Sequence, residues 1–142
     1  MKRKSNLCLF LTTAIFIVSL SACSVQSNKI HILDAKIAKA VNEKLLPMDA
    51  TKSFPSGTSK VYLWFKWSNA EINTAILASW HYVTDDIHIL DYSFNIPRKE
   101  GAGSVSLTMP ESKILPAGTY RVDLKKGSQT LKSLTFTVLE KN

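Results

Sequence analysis

The sequence predicts an all-β fold, an antiparallel β-sandwich of about seven strands behind an N-terminal signal segment. Three observations predict it. Downstream of Pro47 apolar and polar residues alternate in one run after another, the period of a strand with one wet and one dry face. Turn residues separate the runs, whose starts fall about a dozen to seventeen residues apart, with no 3.6-residue period among them. Removing the first 22 of 142 residues leaves 120, which is one domain and enough chain to bury a core.

Residues 1–22 read as an export signal. Lys2, Arg3 and Lys4 form the basic start, Leu7 to Leu20 the apolar stretch, and small residues the cleavage region. The apolar stretch falls short of the ~20 residues a spanning helix needs. Leu20-Ser21-Ala22-Cys23 resembles the lipobox of bacterial lipoproteins. That resemblance implies cleavage before Cys23, a diacylglyceryl group on its sulfur and a further acyl chain on the new amino terminus. At roughly 0.8 kcal/mol per buried methylene, two or three chains make a stable membrane anchor where one would not. The resemblance also implies a destination, because Ser24 rather than Asp after the cysteine favours the outer membrane in Gram-negative cells.

The only cysteines are Cys8, inside the signal, and Cys23, so the mature domain has no disulfide and no thiol chemistry. Lys2, Arg3 and Lys4 leave with the signal, so 18 basic residues become 15 against 11 acidic, a net +4. A charge that mild and dispersed suits solubility or nearness to anionic head groups, and nucleic acid is not an expected partner.

The mature chain opens with a polar tether over residues 23–29, and the domain occupies 30–142. From Ile30 to Leu46 two patterns compete. Ile30, Leu33, Ile37, Val41 and Leu45 recur at helical spacing, whereas Leu33, Ala35, Ile37 and Val41 also fit one strand face; periodicity alone leans towards helix. Val61, Leu63, Phe65 and Trp67 form the apolar face of the second run, with Tyr62, Trp64 and Lys66 opposite. Ile76, Ala78, Trp80 and Tyr82 form that of the third, and Leu90, Tyr92, Phe94 and Ile96 that of the fourth. Pro97 and a Gly101-Ala102-Gly103 loop end it. Val105 and Leu107 follow, then Tyr120, Val122 and Leu124, a Lys126-Gly127-Ser128 turn, and Leu134, Phe136 and Val138.

If the third and fourth runs form a hairpin, a two-residue Asp85-Asp86 turn would set apolar against polar residues. A three-residue loop, Thr84 to Asp86, instead pairs Trp80 with Leu90, Ala78 with Tyr92 and Ile76 with Phe94, and is the expected register. It puts His81 and His88 on opposite faces.

The chain resembles an immunoglobulin-like β-sandwich domain found in secreted and lipid-anchored bacterial proteins. The residues that carry the likeness are Ile37 to Val41, Phe54-Pro55-Ser56-Gly57-Thr58, Trp80, Leu115 to Val122, and Ser133 to Val138. The likeness spans roughly Ile32 to Leu139 and implies that the ambiguous first segment is a strand. It also implies that Tyr120, after Pro116 and Gly118, acts like a tyrosine corner, and that Trp80 is the core tryptophan. The antibody-type cysteine pair is absent.

Catalytic groups are sparse. His81 and His88 flank Asp85 and Asp86, but without ligand spacing, so no metal and no cofactor is expected. No Gly-x-Ser-x-Gly elbow or glycine-rich phosphate loop occurs. Tyr62 and Trp64 point away from the core if Leu63, Phe65 and Trp67 point in, and exposed aromatics on a sheet can bind sugars or a protein. The expectation is therefore a non-enzymatic binding module tethered at Cys23 to the bacterial envelope, its partner a protein or envelope component. A small envelope hydrolase or metal-dependent enzyme using His81, His88 and the Asp85-Asp86 turn is the first alternative, and a purely structural envelope component the second.

Overall fold

Alternation decides which face of each strand meets the core, and the computed structural model, which describes residues 29–142, follows it closely. Val61, Leu63, Phe65 and Trp67 are all buried on one face of the strand Lys60–Ser68. The elements are β1 (His31–Val41), β2 (Pro47–Ala50), β3 (Ser53–Phe54), β4 (Lys60–Ser68), β5 (Ala75–Tyr82), β6 (Ile87–Asn95), β7 (Gly101–Thr108), β8 (Gly118–Lys126) and β9 (Gln129–Val138). A 3₁₀ turn, Pro110–Ser112, lies between β7 and β8.

Two sheets result, ordered β2-β1-β4-β7 and β3-β9-β8-β5-β6. All pairings are antiparallel except β3 with β9, which is parallel. The core between the sheets is built largely from the expected faces, with Trp67, Trp80, Tyr120, Phe65 and Phe136 among its largest fully buried side chains, but Tyr92, expected on the apolar face of the fourth run, is exposed. Trp80 lies at its centre as expected, edge-on to Phe136, with its indole N–H unpartnered among the described residues.

The first segment is a strand, as the resemblance implies, and not the helix that its periodicity suggests. A bulge between Ile32 and Asp34 shifts the β1–β4 register, which leaves Leu33 56% exposed and makes the helical spacing a coincidence. Gly101 to Gly103 are the start of β7 rather than a loop. Their missing side chains make room for aromatics, since a Cβ on Gly103 would stand 2.7 Å from Phe94 Cζ and one on Gly101 3.0 Å from Trp67 Cζ2.

The tyrosine corner forms. Tyr120 donates to the Pro116 carbonyl at 2.7 Å, and Tyr82 donates to the neighbouring Ala117 carbonyl at 2.6 Å. Burial, with Tyr82 beside it, pushes the Tyr120 hydroxyl up to about 12, so it stays a protonated donor. Gly118 sits at φ +144 under Tyr82 and Thr84, where a Cβ would clash with both side chains.

Candidate functional site

Residues on β5 and β8 that alternate away from the core bring their polar side chains together on the outer face of the five-stranded sheet. Ser79, His81, Arg121 and Asp123 pair across the β5–β8 register, and β6 and β9 add His88, Asp91 and Ser133. Ser133 donates to Asp123 Oδ1, and Arg121 Nε donates to its Oδ2 at 3.1 Å. His88 Nε2 lies 2.8 Å from Asp91 Oδ1, and Ser79 Oγ lies 3.1 Å from His81 Nε2. The neighbouring Ser79 hydroxyl, and then the His88 hydrogen bond, hold the Asp91 carboxyl below its ordinary 3.8.

His81 and His88 are therefore not on opposite faces. The expected pairs Ile76 with Phe94, Ala78 with Tyr92 and Trp80 with Leu90 all form, but a bulge after Trp80 then sets His81 opposite His88, rings 5.1 Å apart. The extra residue is Ile89, and the loop becomes Val83 to Asp86. Asp85 and Asp86, in that exposed turn, make no bond to either imidazole. Sequence reasoning missed Ser79, Asp91, Arg121, Asp123 and Ser133. The outward parity of β5 and β8 carried the signal, but only the strand order joins them.

This lattice contains serine, histidine and carboxylate without the polarity of a nucleophile relay. A relay needs the serine at one imidazole nitrogen and the carboxylate at the other. Here Ser79 at 3.1 Å and Asp123 at 3.8 Å both approach Nε2. Burial first, then the Arg121 guanidinium, hold the His81 imidazole below 6.5, while Asp123 pulls the other way. Among the described residues no group of three His, Cys, Asp or Glu is placed to hold a metal ion.

The expected aromatic face on β4 is smaller than alternation suggests. Trp64 does point away from the core, yet it is only 6% exposed, because the turn between β1 and β2 folds over it and Leu45 accepts its indole N–H at 2.6 Å. Lys36 lies 5.8 Å from the centre of the ring. Tyr62 is half-buried, with Lys60 stacked 4.8 Å from its ring centre. Cys23 and Ser24 lie outside the described residues.

A cleft of about 920 Å³ lies where β1 of one sheet approaches β9 of the other. Ala35, Ile37, Leu134 and Phe136 contribute to its lining, and Lys52 and Lys132 stand at its rim. The segment from Ala50 to Lys52 closes one end, crossing from β1, where Thr51 donates to Ile37, to β9, where Thr137 donates to Lys52. Beyond that crossing each strand has one unpaired edge. β1 pairs with β2 only from Ala38 onward, and β9 pairs with β3 only at Thr137 and Val138.

The fold defines an immunoglobulin-like β-sandwich protein. Its solved structural neighbours include an immunoglobulin-like protein from Pseudomonas aeruginosa, at TM-score 0.55 and 12% identity, covering 78% of this chain and 96% of that one. A DNA-bound alkylpurine DNA glycosylase from Pseudomonas fluorescens is similar at TM-score 0.48 and 14% identity, over 78% of this chain but 30% of that one. A metal-bound CARDB domain from Pyrococcus furiosus follows at TM-score 0.43 and 7% identity, covering 80% and 94%. No protein-family model and no curated protein sequence matches the chain.

Proposed function

We propose that this protein is a lipid-tethered, non-enzymatic interaction module of the bacterial envelope, anchored through Cys23, expected at the outer membrane, and binding a protein or envelope component. The observation that carries this reading is the cleft between β1 and β9, where two strand edges stand unpaired beside each other. Unpaired backbone donors and acceptors on an edge are a template for another chain, and natural sandwiches usually cover or blunt them. The tether supports the same reading. β1 starts at His31, soon after Cys23, and Asn69 donates to the Lys29 carbonyl, holding the first described residues against the domain.

Support for a non-enzymatic role comes from the lattice on the five-stranded sheet, whose carboxylates and hydroxyls are engaged with one another and whose serine lacks a relay. The experiment is chemical crosslinking in intact cells, followed by detergent extraction and mass spectrometry. An amino-terminal peptide beginning at lipidated Cys23, with one reproducible envelope adduct, is the expected result. An unmodified Cys23, or a protein that stays in the membrane pellet after Cys23→Ser, contradicts the anchor; no adduct to any envelope component contradicts the module.

A further inference from the structure

The interaction-module reading leaves its partner without a chemistry, and the cleft supplies one. Along β9 the residues alternate in which edge their backbone groups face. Thr137 donates its N–H to Lys52, on the side away from β8, so Thr135 and Ser133 direct their N–H and C=O groups to that same side. Both lie in the stretch that β3 does not reach. β3 also demonstrates what this edge accepts: a short parallel strand, joined through Thr137 N–H to Lys52 and Leu139 N–H to Phe54 at 2.8 and 2.9 Å. Across the cleft, Ile37 accepts from Thr51, so Ala35, two residues earlier, faces the gap in the same way.

The side chains around these edges divide by depth. The floor is apolar, with Ile37 and Phe136 in the core and Ala35 and Leu134 packed partly against it. The rim is cationic. Lys132 pairs across from Leu124 on the inward face yet is exposed, and Lys52 stands where the chain crosses between the sheets. Lys36 is already engaged, 3.1 Å from Asp34 and above Trp64. Neither Lys52 nor Lys132 takes part in an ion pair among the described residues.

We infer that the cleft between β1 and β9 binds an extended peptide of a partner protein, which adds as a strand to β9 at Ser133 and Thr135. The side chains it turns inward are apolar in the middle and acidic at the ends. Side chains two residues apart share a face, so central apolar groups reach Leu134 and Phe136, while acidic groups at the two ends of that same face reach Lys132 at one end of the cleft and Lys52 at the other. A second copy of this chain fits less well, because pairing β9 with β9 brings lysine rims together. The inference rests on the interaction-module reading and names the partner class of that site.

Three capped heptapeptides test it: a glutamate peptide, Glu-Ser-Val-Ser-Val-Ser-Glu, whose glutamates and valines share one face; a lysine peptide with lysine in place of both glutamates; and the glutamate peptide with a central proline. Each is added to the mature lipoprotein in neutral detergent, and amide hydrogen exchange is followed residue by residue. The glutamate peptide is expected to slow exchange at Ser133 and Thr135 by about tenfold or more, because those amides gain partners. The other two peptides should leave it unchanged. Thr135→Pro removes an edge donor that β8 does not use and should abolish the protection. The double variant Lys52→Glu with Lys132→Glu leaves the backbone intact and should transfer the preference to the lysine peptide. Protection that persists in Thr135→Pro, that ignores peptide charge, that maps elsewhere, or that is absent with all three peptides overturns the inference. Crosslinking in cells tests the module reading separately, so the two can fail apart.

Discussion

The two long edges of this sandwich solve the same problem in different ways. At the β6–β7 edge the gap between the sheets is plugged. Phe94 reaches across to Phe65 and Trp67, with ring centres 5.3 and 5.7 Å apart, and Gly101 and Gly103 supply the notches that let the rings in. Trp67 completes the plug by donating to the Arg98 carbonyl at 3.0 Å. At the β1–β9 edge no aromatic pair among the described residues bridges the two sheets; the gap is a cleft with a small apolar floor that includes Phe136, hydroxyls and lysines. The difference teaches where stability and function separate. Side chains at the plugged edge are matched to their neighbours, whereas at the open edge stretches of β1 and β9 backbone have no strand beside them.

That contrast can be broken from either side. The largest effect is expected from Trp67→Ala, which removes a buried ring and its hydrogen bond at the plugged edge and should cost about 3–5 kcal/mol in denaturant unfolding. Gly103→Val should cost about 1–3 kcal/mol, since its new methyl groups meet the Phe94 ring. If either change proves neutral, the plug does not hold that edge.

The outer lattice provides a pH test. His81 is held below 6.5, chiefly by burial and then by Arg121, with His88 and Lys125 adding and Asp123 opposing. Between its folded value and 6.5 the unfolded chain binds more protons, so stability falls as pH drops through that window and levels off below it. Asp91 acts lower, its contribution being present above 3.8 and lost as pH falls through its depressed value. His81→Gln should therefore flatten the melting-temperature profile below pH 6.5, and an unchanged slope would assign the titration to another group. The smallest effect is expected at the open edge, where Lys52→Ala and Lys132→Ala should each move stability by less than about 0.5 kcal/mol.

Much of this fold was legible in alternation alone. The buried faces of β4, β5 and β8 and the three expected β5–β6 pairs follow from residue types at period two, whereas the Tyr120 corner comes from the family resemblance. The failures share a physical cause, which is that an extra residue or a neighbouring turn overrides the period. Ile89 and Leu33 sit at bulges, so the parity read before each does not carry past it, and His81 meets His88. Trp64 is outward by parity but covered by the turn at Leu45, a contact between residues 19 apart that no local pattern encodes. The cleft was invisible for a further reason, because it depends on which strands lack a neighbour, a property of strand order rather than of any strand.

The central claim is that the open edge, and not the β4 aromatic face, is where this protein meets its partner. A photo-crosslinking amino acid placed at position 132 and, separately, at position 62, irradiated in intact cells, tests it most directly. The account predicts a discrete envelope-protein adduct from position 132 and none from position 62. An adduct from position 62 with none from position 132 would contradict it.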